Sequence, residues 1–70
     1  MMPLGLANVG EEITILRIGG NPETKLHLEN LGFVAGGTVT VISEIGGNII
    51  VNVKDSRVAL SKELAQKVMV

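Results

Sequence analysis

The stretch NLGFVAGGTVTV, residues 30–41, takes the chain out of one kind of structure and into another within twelve positions. Gly32 suits the left-handed residue that ends a helix, and Phe33 just beyond it is placed to fold back onto Leu28, the apolar contact that accompanies such an ending. Gly36 and Gly37 then launch a run rich in β-branched residues, Thr38-Val39-Thr40-Val41. Upstream, Asn21 suits an N-cap, Pro22 the first helical position, and Glu23 the positive end of the helix dipole. These signals predict a helix of about ten residues between Asn21 and Gly32.

Outward from this helix lie five short apolar runs: Glu12 to Ile18, Thr38 to Ile45, Ile49 to Val53, Arg57 to Leu60 and Lys67 to Val70. The glycines between them act as punctuation. Ile49, Val51 and Val53 alternate onto one face of their strand, while Ile50, Asn52 and Lys54 take the other. In Thr38 to Ile45 the alternation slips after Val41, which predicts a β-bulge. Gly46-Gly47-Asn48 predicts a tight hairpin, and Lys54-Asp55-Ser56 a second turn. Ser61 to Gln66 has the pattern of one capped helical turn before the last strand. The expected fold is mainly β: a small five-stranded SH3-like barrel, with one α-helix between strands 1 and 2 and a short helical turn before the last strand.

With 70 residues the chain makes one domain, residues 1–70. A chain of this length buries only about 60% of the surface it exposes when unfolded. It has no cysteine, so neither a disulfide nor a thiolate ligand is available, and a reducing, cytoplasmic setting fits. Its apolar residues are almost all Val, Ile, Leu and Ala, with Phe33 the single aromatic. No apolar run reaches the roughly 18 residues that cross a bilayer, and Met1-Met2-Pro3-Leu4 lacks the pattern of a signal peptide.

Catalysis by nucleophile or metal needs clustered groups, and the sequence supplies one histidine, one aspartate and no tyrosine. An enzyme is therefore not expected, nor a cofactor or a metal site. His27 has Glu23 one helical turn before it, but two ligands do not close a site. Neither Gly36-Gly37 nor Gly46-Gly47 precedes the Lys and Ser or Thr of a phosphate-binding loop. The net charge of −1, a pI near 5.7 and scattered basic residues without stacking aromatics argue against nucleic acid. What the chain has to offer is apolar surface. Leu26 lies nearly opposite Leu28 around the helix, and Ile50 and either Leu16 or Ile18 sit on faces turned from the core.

From HLENLGFVAGGTVTV through IIVNVKDSRVALSKELAQKVMV the chain resembles the ferrous iron transport protein A family, FeoA, and the resemblance runs end to end. It includes the leucine-rich opening Leu4-Gly5-Leu6, Gly10 before the first strand and Leu31-Gly32-Phe33 at the helix exit. Gly36, the segment Val58-Ala59-Leu60, Ala65 and the terminal Val68 and Val70 complete it. Two positions depart from the pattern: Ala35 stands where members usually carry proline, and His27 where many carry arginine. The first costs turn rigidity, and the second removes a permanent positive charge.

The resemblance implies a cytoplasmic protein that meets the inner membrane through a partner, the iron permease FeoB, whose cytosolic GTP-binding domain is the expected docking site. Iron itself would be handled by that partner. Arg17, Leu26, His27 and Phe33, around the helix and its exit, are the candidate contact residues. One alternative is an SH3-like regulatory interaction domain of the iron-dependent repressor type. Such a domain ordinarily follows a helix-turn-helix, whereas this chain is expected to start at Met1. A nucleic-acid-binding barrel is a further alternative, and a homodimer formed through a free strand edge is compatible with any of these.

Overall fold

The computed structural model describes residues 1–70. A 3-10 turn, Leu4–Leu6, precedes β1 (Glu12–Thr14), β2 (Arg17–Ile18), α1 (Pro22–Asn30), β3 (Thr38–Ile45), β4 (Asn48–Val53), β5 (Ser56–Ser61), α2 (Lys62–Ala65) and β6 (Val68–Met69). The fold is mainly β and of the SH3-like class. Its strands form a four-stranded sheet, ordered β1-β3-β4-β5, and a two-stranded sheet, β2-β6, all antiparallel.

The expected first strand, Glu12 to Ile18, is divided in two, giving six strands where the sequence suggests five. The reason is a change of partner. Ile15 donates its N–H to Gly37 O at 2.8 Å and accepts from Gly36 N at 2.8 Å, and the next residue, Leu16, donates to Met69 O at 2.8 Å. A strand that leaves one sheet for another bends at the handover, and the barrel is left open between β5 and β6. Ile15 at the corner is completely buried.

The helix forms as expected. Asn21 caps it, its side-chain oxygen accepting from Thr24 N–H at 2.8 Å, and Pro22 occupies the first turn. At the other end Gly32 has φ +108° and donates to Glu29 O at 2.9 Å, while Phe33 N–H reaches Leu28 O at 3.0 Å. This double hydrogen bond is the Schellman terminator, and Phe33 and Leu28 join the same core cluster without exposed surface. Ser61 caps α2 in the same manner, accepting from Leu64 N–H at 3.2 Å.

The expected bulge lies between Val41 and Ser43, where the β3–β4 register shifts. Val39 and Val41 face the core before it, and the opposing face of β4 supplies Ile49, Val51 and Val53. Gly46 and Gly47, at φ +55° and +87°, form the two-residue loop of the β3–β4 hairpin. The β4–β5 turn has the same geometry, but its positive-φ residues are Lys54 (+48°) and Asp55 (+62°). Both lack glycine's freedom, so the pairing on either side holds them there.

Candidate functional site

The structure places the four expected contact residues differently. Leu26 is 59% exposed on α1, and His27 beside it is also exposed. Leu28, rotated about 200° from Leu26 at 100° per residue, is buried. Arg17 is exposed on β2, where it pairs in register with Met69. Phe33 is a correction: it is 0% exposed. The terminator that makes Gly32 left-handed turns the next side chain under the helix, so Phe33 supports α1 from within and presents nothing to a partner. Ile50 is half-buried on the outer face between Ser43 and Ala59, less open than its alternation suggests.

Leu16, at the corner between β1 and β2, is 55% exposed. Its neighbour Ile15 fills the core, so the bend that joins the sheets pushes one aliphatic side chain out as it draws the other in. Leu6 is the most open leucine, at 70%. It borders a cleft of about 560 Å³ between the N-terminal turn, the β3–β4 hairpin and α2. Ile49 and Ala65 form its apolar base, Pro3 and Gly5 flank Leu6, and Gln66 completes the polar side. Across its mouth Lys62 Nζ lies 3.9 Å from Glu44 Oε1, both side chains well exposed. An ion pair so solvated contributes at most about 1 kcal/mol and leaves both charges free to meet another surface.

Sequence reasoning missed this cleft because its walls come from three separate segments. The available signal was Leu6 itself, two residues after the core residue Leu4 with only glycine between them. No three His, Cys, Asp or Glu side chains are grouped to hold a metal ion. No helix is long and apolar enough to cross a membrane. A second, wholly polar depression lies on the outer sheet face among Glu12, Thr38, Thr40, Asn52, Lys54 and Asp55. The surface therefore offers separated aliphatic contacts bordered by charge, a chemistry of binding.

Comparison with known proteins places these features in context. Residues 2–70 match the family model described as the FeoA domain. A Methanocaldococcus jannaschii protein carrying the name Fe(2+) transport protein A is 33% identical over 70 residues, covering the whole of this chain and 85% of that protein. The crystal structure of an iron uptake regulatory protein, FeoA, superposes with a TM-score of 0.86 at 28% identity, over 94% of this chain and 89% of the other. A manganese-dependent transcriptional repressor shares the fold, with a TM-score of 0.83 at 23% identity. The match covers 94% of this chain but 38% of the repressor.

Proposed function

Since the chain belongs to the FeoA domain family, we propose that it is a small accessory protein of ferrous iron transport that acts by binding the FeoB-type iron permease on its cytosolic GTP-binding domain. The observation that carries this reading is the exposure of Leu6, Leu16 and Leu26, each more than half open, on a domain with so little core to spare. A chain that turns leucines outward while burying its one aromatic has a surface suited to docking. Leu26, His27 and Arg17 are the contacts around α1, and the cleft beside Leu6 is a second one. The role is non-catalytic and rests on contact, with iron handled by the permease.

The test is a binding titration of the purified chain against the host's full-length FeoB in detergent, repeated with the isolated GTP-binding domain. Saturable binding to both, weakened at least about tenfold by Leu26→Glu or Leu6→Glu, is the expected result. Failure of the folded chain to bind either form would refute the partner. The fold shared with the manganese-dependent repressor favours a second reading, a regulatory interaction domain for a transcription factor. That reading gains if the chain ignores the permease and binds a repressor's DNA-binding portion instead.

A further inference from the structure

The outer edge of β5 is the longest unpaired strand edge of the molecule, and it carries little of the usual protection. The strand spans Ser56–Ser61 at the end of the sheet order, without proline or bulge and with Arg57 as its single charge. Edges left in this state pair with another strand. Two other edges are closed or guarded. The far side of β6 is occupied by the N-terminal residues, with Met2 N donating to Val70 O at 2.9 Å, Val70 N to Met2 O at 2.8 Å, and a bridge from Pro3 to Met69. The other end of the large sheet, β1, is three residues long, with Glu11 just before it and Glu12 at its start. Within this fold the strand best able to satisfy β5 is therefore β5 of a second copy.

The register of the hairpin identifies the groups involved. Val53 opposes Ser56 across a two-residue turn, so that pair exchanges hydrogen bonds, as do Val51 with Val58 and Ile49 with Leu60. The N–H and C=O groups of Arg57 and Ala59, and the N–H of Ser61, consequently point away from β4. The geometry points to a two-fold antiparallel β5–β5 dimer with Ala59 on the axis. Backbone hydrogen bonds then run across Ala59 to the partner's Ala59, and from Ser61 N–H to the partner's Arg57 C=O, twice by symmetry.

The side chains agree with this register. The small Ala59 meets its copy on the axis, and Arg57 opposes the partner's Ser61, so no like charges face each other. The first turn of α2 carries Glu63 two residues beyond Ser61, the residue that the partner's Arg57 would oppose; its neighbour Lys62 already faces Glu44. An axis on Leu60 would pair fewer of the outward groups, and an axis on Val58 would pair as many but set the two Arg57 side chains diagonally adjacent on one face. The inference is independent of the iron-transport reading, because it uses only strand edges and register.

The chain has no cysteine, which permits a direct test. Across a hydrogen-bonded antiparallel pair the Cα atoms lie about 5.5 Å apart, within disulfide range. Ala59→Cys should therefore oxidise to a covalent dimer at least about tenfold faster than Arg57→Cys, whose copies would lie roughly 13 Å apart along the strands. Both positions are exposed, and circular dichroism establishes that each variant is folded. Wild-type chain should sediment at twice 7.4 kDa as its concentration rises, and Ala59→Lys, which sets two ammonium groups face to face, should return it to 7.4 kDa. A wild-type chain that remains at 7.4 kDa up to about 1 mM, or equal oxidation rates for the two cysteine variants, overturns the proposal.

Discussion

Replacing Gly32 with alanine isolates the contribution of one backbone angle to this fold. Gly32 sits at φ +108°, and an added Cβ would meet Lys54 Cδ at 3.5 Å, Val53 Cγ2 at 3.6 Å and Lys54 Cγ at 3.7 Å. Those are ordinary contacts, so alanine fits the space and only the angle resists it. Holding a non-glycine residue there costs about 1–3 kcal/mol, of which roughly 0.5 is returned by the stiffer unfolded chain. The alternative is for the helix exit to rearrange. That would break the bonds from Gly32 N–H to Glu29 O and from Phe33 N–H to Leu28 O, at about 1 kcal/mol each, and disturb Phe33.

Both routes converge on a loss of about 2 kcal/mol, which lowers Tm by roughly 8–16 °C in a domain of this size. Thermal unfolding followed by far-ultraviolet circular dichroism measures it. Gly5→Ala is the control, since Gly5 has no positive φ and open space around its Cβ; it should shift stability by less than about 0.5 kcal/mol. A Gly32→Ala protein with Tm equal to or above wild type would refute the reasoning, because it would mean the left-handed terminator contributes nothing.

The β4–β5 turn should respond in the opposite sense: Lys54→Asn with Asp55→Gly supplies the residues this turn geometry favours and should stabilise by about 1 kcal/mol, read as a higher urea midpoint at unchanged m. A lower midpoint would show that Lys54 and Asp55 make contacts worth more than the strain. Phe33→Ala, by emptying the core's largest side chain, should cost about 3–5 kcal/mol, a large part of the roughly 4–10 kcal/mol expected for 70 residues, whereas Leu26→Ser should stay within about 0.5 kcal/mol. Equal losses in the two variants would contradict their placement in the core and on the surface.

Much of the local structure is determined by short stretches of sequence, because the forces concerned act between near neighbours. Asn21 and Pro22 start α1, Gly32 ends it, Gly46-Gly47 closes the hairpin, and the slip after Val41 marks the bulge. Each depends on residues within a few positions of one another, whose capping bonds and φ preferences hold wherever the segment sits. The alternation of Ile49, Val51 and Val53 likewise assigns their face before any partner is known, and Leu26 can be placed opposite Leu28 by helical period alone.

Other features were decided only when distant segments met. Glu12 to Ile18 looks continuous in sequence, and it becomes two strands because Gly36-Gly37 holds one side of the corner and Met69 the other. The sequence puts Phe33 both against Leu28 and among the contact residues, and the helix exit that turns it beneath Leu28 leaves only the first. Lys54 and Asp55 adopt positive φ against their own preference because the flanking strands bury Val51, Val53 and Leu60 in register. The cleft beside Leu6 joins residues near positions 3, 44 and 62, and β5 keeps a free edge while the far side of β6 is taken by the N-terminus. Local preferences select the elements. Which faces are buried against one another, and which edges remain open, depends on contacts between residues far apart in the chain, and those are fixed only by the packing of the whole domain.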